Sequence, residues 1–422
     1  MSKFLYGIDF GTTNSALSIY DEVSGQIIDT IILPSLLYFP AAQNTSAAID
    51  YVAGEDAISE YLNDGMKGRF MKSVKRILPR SSFIETRIHN KRLNASDLVT
   101  LILKTLKNKA DQIIGHNCTK AIIGRPVFFD DDNIAMDALA QKRLNKAAEQ
   151  AGFTEVRFQF EPIGAAFAYE KTITKKEHVL VADLGGGTTD FTYLTLDPLQ
   201  IGKPDRQKDI IATGGIYIGG DSFDSAFMWE KGTPYFGKNT MYEAAQGKML
   251  KVPVSLFTNI CSWEQMNFFN GQKIKNDLQT YYHYSKQDPI FKNLITLTDH
   301  NLGYSVFQSI ERTKIELSKQ ELSQFVYAKM DISIAETITI ENYNKIIERD
   351  IIKIRKYLDS FLLKHKISAA EIDSLFLTGG TSMVSAVKNL FETRFPGIQI
   401  HSGDNFISVA KGLAYSGYLF DH

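Results

Sequence analysis

The chain has 422 residues, and at roughly 150 residues per domain that length calls for two or three domains. Hydrophobic residues make up 44% and charged residues 23%, a soluble globular composition that excludes disordered, collagen-like and coiled-coil classes. The 47 Lys and Arg against 48 Asp and Glu leave a net charge of −1, so no basic field exists to hold nucleic acid or an anionic membrane as main partner.

The N-terminus runs straight into strand-like sequence without the basic, apolar and small-residue order of a signal peptide, and no apolar run nears the ~20 residues that cross a bilayer. The longest, Ile27 to Leu37, is strand-like and carries an Asp. A soluble, cytoplasmic protein is expected. Cys118 and Cys261, the two cysteines, fit neither a disulfide framework nor zinc-ligand spacing and are expected as buried thiols.

In chain order, Phe4 to Phe10 reads as a strand, Gly11-Thr12-Thr13 as a tight turn, and Ala16 to Tyr20 as a second strand. Residues 34–117 read as an inserted subdomain holding the amphipathic segment Ala95 to Ile114. Ala121 to Ile123 is a short strand and Leu139 to Gly152 a helix with Leu144 and Ala147-Ala148 on one face. Val179 to Asp183 is a buried strand, followed by Leu184-Gly185-Gly186-Gly187-Thr188-Thr189-Asp190 and a further strand, Phe191 to Leu196. Residues 227–302 show no clear periodicity and read as a lid-like insertion in which Trp229 and Trp263 serve core and lid; the helical segment Tyr304 to Glu316 follows. Leu375-Phe376-Leu377-Thr378-Gly379-Gly380-Thr381-Ser382 ends a strand and opens a helix towards Phe391.

Two of these junctions are one device. Gly7-Ile8-Asp9-Phe10-Gly11-Thr12-Thr13-Asn14 and Val181 to Asp190 each place a carboxylate at a strand end, then glycines that admit a ligand to the backbone, then threonine donors. Such hairpins can cradle phosphate. Neither a Gly-x-x-x-x-Gly-Lys-Ser/Thr loop nor a Rossmann Gly-x-Gly-x-x-Gly opening occurs, so phosphate binding would rest on the hairpins. Two copies in like context suggest duplicated halves, with a nucleotide in the cleft between them.

These residues carry a resemblance. Gly7 to Ser15 (apart from Phe10), Asp183 to Asp190, Glu161-Pro162-Ile163-Gly164-Ala165-Ala166, Ile218-Gly219-Gly220-Asp221-Ser222-Phe223-Asp224 and Leu377-Thr378-Gly379-Gly380-Thr381 resemble the nucleotide-binding domain of the seventy-kilodalton heat-shock chaperones (DnaK type), within the superfamily of actin, sugar kinases and heat-shock ATPases. The length, together with Gly124-Arg125-Pro126-Val127 and Phe158-Gln159-Phe160-Glu161-Pro162, is similar to a truncated, YegD-like branch without linker or peptide-binding domain. The resemblance implies an α/β, actin-like ATPase fold of two duplicated lobes, residues 1–176 and 177–422, with inserted subdomains at 34–117 and 227–302 around a central nucleotide cleft. It implies ATP/ADP and Mg²⁺ as cofactors, and slow ATP hydrolysis that works a conformational switch. A protein client or co-chaperone is an open partner.

Roles follow from the same resemblance. Asp9 and Asp183 would hold a hydrated Mg²⁺, Lys75 would reach the γ-phosphate and the attacking water, and Glu161 would orient the metal's water shell or the nucleophile. Taken alone, Lys75 reads as a solvated surface lysine and Glu161 as an exposed residue before Pro162. Thr12, Thr13 and Thr188 would give hydroxyls to phosphate beside Gly11, Gly185, Gly186, Gly187, Gly219 and Gly220. Glu311 and Lys314 match ribose contacts, Ser318 an adenine contact, and Gly379 and Gly380 the backbone beneath the adenosine. The chain departs from the family where Ile315 and Met383 replace two arginines on the adenine faces and Phe406, near Asp404, replaces an aspartate, which removes cation–π contributions of about 0.5–2 kcal/mol each. The alternatives are a sugar kinase of this fold, which needs a catalytic aspartate and polyol pocket that nothing marks, and a nucleotide-binding interaction module with little turnover.

Overall fold

The computed structural model describes residues 4–41, 49–65, 67–129, 133–203, 205–262, 265, 269, 271–402 and 407–420. Trp263, Asp404 and Phe406 lie outside the described residues. The chain forms two compact units, one of Met1–Gly219, Lys356–Ser382 and Phe391–His422, the other of Gly220–Arg355 and Met383–Leu390.

Within the first unit, two five-stranded mixed sheets repeat one topology. The first runs Gln26–Pro34, Asn14–Asp21, Phe4–Asp9, Lys120–Arg125, Glu155–Phe160; the second runs Ile210–Ile216, Thr189–Leu196, Glu177–Leu184, Ser374–Thr378, Gln399–Ser402. In each, the first three strands are antiparallel neighbours and the last three parallel ones. The duplication read from the paired turns is therefore built into the strand order. The central strands Phe4–Asp9 and Glu177–Leu184 carry Asp9 and Asp183 at their C-terminal ends.

Strand Phe4–Asp9 buries four consecutive residues because both its faces are covered. Tyr6 and Ile8 enter a core with Leu98, Ile102, Leu106 and Leu144 of the helices Ala95–Ile114 and Ile134–Gln150. Leu5 enters another, with Ile163, Val179, Val181 and Leu413. Helix Ala95–Ile114 follows its sequence signals closely: Asn94 and Asp97 form a capping box, and Gly115 ends it in the left-handed region at φ 75°. Its last turn anchors a polar knot: Asp111 accepts from the Tyr6 hydroxyl (2.8 Å), the buried Lys107 ammonium (2.6 Å) and the Cys118 amide (3.0 Å).

On the opposite face the helix Ser408–Tyr415 makes backbone contact that only glycine permits. A Cβ on Gly7 would lie 2.2 Å from the Ala414 nitrogen, and one on Gly412 would lie 1.9 Å from the Gly164 oxygen. This contact seats the helix Glu161–Glu170, whose first residue is Glu161.

Several elements differ from the sequence reading. The helix expected from Leu139 begins at Ile134, where Asn133 caps it through the Ala135 and Met136 amides; the added turn is mostly exposed, so apolar spacing could not reveal it. Gly379 and Gly380 do not open an α-helix directly. Gly379 stands at φ 79°, a short 3-10 turn spans Gly380–Met383, and the α-helix begins at Ser385. Cys118 and Cys261 are buried and free, as expected.

The second unit contains a π-helical turn at Met228–Gly232, hairpins Met241–Glu243/Met249–Lys251 and Leu322–Lys329/Ile332–Thr339, and helices at Val254–Ile260, Gln272–Tyr284, Pro289–Asp299 and Gly303–Leu317. The segment read as aperiodic is thus largely helical; its helices are short or polar, Gln272–Tyr284 burying only Leu278. Trp229 is half-buried with the Lys238 ammonium 4.4 Å from its ring centre. No helix among the described residues is long and apolar enough to cross a membrane.

One ion cluster of the first unit is fully enclosed. Arg206 donates to Glu170 Oε1 at 2.6 Å and to Oε2 at 3.0 Å, both side chains being 0% exposed, and it also pairs with Asp209. Removing Glu170 leaves the enclosed guanidinium with only Asp209 to offset its charge. Glu170→Ala is therefore expected to cost about 3–5 kcal/mol, read as a lowered denaturation midpoint, and an unchanged midpoint would contradict the pairing.

Candidate functional site

The first glycine-threonine turn is pinned from below by Ser35. Its amide donates to the Thr13 carbonyl (2.8 Å), while its hydroxyl donates to the Gly11 carbonyl (2.8 Å) and meets the Ser15 hydroxyl (2.8 Å). A Cβ on Gly11 would fall 2.0 Å from the Asn14 carbonyl oxygen, so the turn tolerates no side chain there. Thr12 stands partly exposed in this turn, and the Thr13 hydroxyl is buried with no hydrogen-bond partner. In the second turn the Thr188 hydroxyl donates to Asp190 (2.8 Å), and Gly185 and Gly186 lie against Gly219, whose Cβ would come within 2.6 Å of the Gly185 oxygen. Gly379 packs equally close: a Cβ there would lie 2.3 Å from the Leu184 oxygen and 2.8 Å from Asp183 Oδ1. Thr381 donates to the Gly185 carbonyl at 2.8 Å. Around both aspartates the backbone is thus stripped to glycine.

Lys75 and Glu161, 86 residues apart in sequence, form a 2.7 Å ion pair with side chains only 15% and 11% exposed. Read singly, each is a surface residue; the fold buries both. Gly124 makes the approach possible, since a Cβ there would sit 3.0 Å from Glu161 Cγ. Burial, and then the nearby Glu161 charge, push the Asp9 carboxyl up to about 8, with Lys75 opposing and Asp183 adding. The same burial and the same Glu161 charge push Asp183 up to about 6. Burial acts against the Lys75 ammonium, but Glu161, Asp9 and Asp183 outweigh it and raise its pKa above the ordinary lysine value. Three carboxylates share one ammonium, so the cluster is short of positive charge.

The second unit holds its own group. Lys314, on helix Gly303–Leu317, pairs with Asp224 at 2.8 Å, and the exposed Glu311 lies one turn earlier, adding to the field that raises Lys314. Burial outweighs the Lys314 charge at Asp224 and lifts its carboxyl to about 6. Asp224 Oδ1 and the Tyr343 hydroxyl are both buried without a hydrogen-bond partner. Ser318 caps the helix and donates to the Ile315 carbonyl at 2.7 Å; Ile315 and Met383 are 48% and 41% exposed, large apolar side chains half open to solvent. Gly220 begins the helix Gly220–Phe227 that carries Asp224.

A family model described as Hsp70 protein matches residues 5–240, more than half of the chain. The chain belongs to the Hsp70 family. Among similar relatives, the chaperone protein DnaK of Mycoplasmopsis agalactiae is 25% identical over 397 residues, covering 93% of this chain and 54% of that protein. The chaperone protein DnaK of Thermosipho melanesiensis is 26% identical over 409 residues, 93% of this chain and 55% of that protein. Over a shorter stretch of 234 residues, 54% of this chain and 35% of that protein, the chaperone protein DnaK of Thermotoga petrophila is 33% identical. The chain spans about half the length of the curated relatives it matches. Its fold is the actin-like ATPase fold of the Hsp70 family.

The Hsp70-family site fits the ligand that sequence assigned to it. Asp9 and Asp183, two enclosed carboxylates at the ends of the paired central strands, suit Mg²⁺, an ion that keeps several waters and needs only one or two carboxylates. The orphaned Thr13 hydroxyl and the glycine-lined backbone suit phosphate oxygens. Sequence reasoning misses Ser35 and Asp224 as site residues: Ser35 carries no motif, and Asp224 stands within the Ile218 to Asp224 motif without an assigned role.

The Asp9 shift has a direct thermodynamic sign. Between about pH 4 and pH 8 the native carboxyl keeps a proton that the unfolded chain has lost, so the metal-free fold loses stability as pH rises through that window. Asp9→Asn is expected to flatten this loss. Thermal midpoints of wild type and variant in a chelator, compared across the window, check it; parallel curves would rule it out.

Proposed function

We propose that this Hsp70-family chain binds Mg²⁺-ATP and hydrolyses it slowly to ADP and phosphate, and that the nucleotide it holds sets its conformation. The observation that carries this is the buried Lys75–Glu161 pair beside the raised Asp9 and Asp183 carboxyls. Bound Mg²⁺ would supply the missing positive charge there and offset the negative charge of the phosphates. Asp9 and Asp183 would hold its hydration shell, Glu161 would orient one of the waters, and Thr12, Thr13 and Thr188 with the Gly11 and Gly185 to Gly187 backbone would take up phosphate oxygens. Lys75 holds a fixed ammonium against the charge that spreads over the γ-phosphoryl oxygens as water attacks phosphorus and the bond to ADP breaks. With Asp9 and Asp183 assigned to the metal's shell and Glu161 paired with Lys75, none of these carboxylates is free to take the proton of the attacking water, which is the physical reason for slow turnover. Glu311, Lys314 and Ser318 serve ribose and adenine, and Gly219, Gly220, Gly379 and Gly380 give close backbone approach. A client protein or co-chaperone, met in the cytoplasm, is the partner class that the relatives' chaperone name suggests.

Lys75→Ala is expected to lower single-turnover phosphate release about a hundredfold while Mg²⁺-ATP affinity changes only a few-fold, because the ammonium acts mainly on the transition state. Equal losses in both quantities would remove Lys75 from the chemistry. Running the same release assay with and without sugars separates the ATPase from a sugar kinase.

Ile315 and Met383 give the base apolar surface but no guanidinium plane. ATP and GTP are accordingly expected to compete within about tenfold of one another in a displacement titration. A strong adenine preference would show that other groups read the base.

A further inference from the structure

The turn that carries Lys75 is held by more than its own backbone hydrogen bonds. Ser73 enters it in the left-handed region at φ 58°, buried and with its hydroxyl unpartnered. Residues 73–83 then run as a short 3-10 helix, Val74–Ile77, continued by single i→i+3 turns in which the Arg80 amide donates to the Ile77 carbonyl and the Phe83 amide to the Arg80 carbonyl. One side chain from elsewhere gathers those carbonyls. Arg143 donates through Nη1 to Ile77 (3.2 Å), Leu78 (2.9 Å) and Arg80 (2.9 Å), and through Nη2 to Phe83 (3.0 Å).

Arg143 can act as a fixed clamp because its own helix is fixed. Its neighbours Ala140, Leu144 and Ala147 on helix Ile134–Gln150 are buried in the first-sheet core, and Val74 and Leu78 of the turn are buried in that same core. Packing therefore sets the height of the turn, and the guanidinium fork sets its twist. Its several donors on a rigid plane suit a cluster of carbonyls in a way a lysine's point charge does not.

We propose that Arg143 is a positioning residue for ATP hydrolysis: by holding the carbonyls of Ile77, Leu78, Arg80 and Phe83 it keeps the turn in the form that delivers the Lys75 ammonium to Glu161. Arg143 is not among the residues assigned above to nucleotide or metal, and it acts only through Lys75. The inference rests on the reading of Lys75 given above. A displacement of the order of 1 Å at a transition-state cation is enough to cost a large part of its effect, while ground-state binding, made by other groups, is spared.

The test is a double-mutant cycle on the full chain, with single-turnover phosphate release and Mg²⁺-ATP affinity measured for wild type, Arg143→Gln, Lys75→Ala and the double variant. Arg143→Gln is expected to slow release about tenfold with affinity within about twofold of wild type, and to have no further effect once Lys75 is gone. Arg143→Lys should recover little. Should Arg143→Gln slow release equally in the presence and absence of Lys75, or lower affinity and release together, Arg143 acts structurally and the proposal falls. If Lys75→Ala slows release and Arg143→Gln does not, the proposal falls while the Lys75 reading stands. If Lys75→Ala itself leaves release unchanged, that reading fails first.

Discussion

A shortage of positive charge at one buried point organises the functional half of this structure. Asp9, Asp183 and Glu161 approach a single ammonium, Lys75, and burial raises the cost of every uncompensated negative charge. Left alone, the arrangement responds by raising the proton affinity of the aspartates, Asp9 most of all; with a hydrated dication it would not need to. A charge deficit that a fold tolerates rather than relieves points to a ligand, because a hydrophobic or paired substitute would be more stable.

Holding that deficit in place requires close backbone packing, and the duplicated sheets supply it. Each central strand carries an aspartate at its C-terminal end followed by a glycine- and threonine-bearing turn, in the first of which Gly11 admits no side chain, and the topology that produces this occurs twice in the first unit. The helix Ser408–Tyr415 lies backbone to backbone on Gly7 and Gly164, which sets the helix Glu161–Glu170 and with it the carboxylate that meets Lys75. Ser35 ties the first turn to the strand beneath it. Each of these contacts is a distance constraint on a charged group, so the glycines serve electrostatics as much as packing.

In the second unit the same logic recurs with less charge. Asp224 and Lys314 form an enclosed pair, yet Asp224 keeps an unpartnered oxygen and Tyr343 an unpartnered hydroxyl close by. Burial outweighs the pairing at Asp224, which leaves its carboxyl at about 6. Such incompletely satisfied groups are rare in a settled core and mark where a ligand or rearrangement would complete the bonding.

Sequence by itself determined the repeated strand-turn-strand pattern, the Asp9 and Asp183 placements, the glycine-rich approach and the boundaries of helix Ala95–Ile114, because each is written in local signals: alternation or its absence, glycine, threonine and a capping box. It misplaced the start of helix Ile134–Gln150 and the start of the α-helix that follows Gly379-Gly380, where exposed residues and a 3-10 turn leave no periodic trace. It missed the helices of residues 254–299: Val254–Ile260 is only seven residues long and Gln272–Tyr284 buries only Leu278, while Pro289–Asp299 carries Phe291, Leu294, Ile295 and Thr298 at a helical spacing that it overlooked. Only the tertiary structure decided that Lys75 is buried rather than solvated, that Ser35 pins the first turn, that Asp224 holds Lys314 and that Arg143 gathers the turn at Ile77 to Phe83. The physical reason is common to all four: the partner lies 20 or more residues away, at separations of 86 for Lys75 and Glu161, 24 for Ser35 and Gly11, 90 for Lys314 and Asp224, and 66 for Arg143 and Ile77. A side chain's solvation and charge state belong to those distant neighbours, and no local pattern encodes which neighbour will arrive.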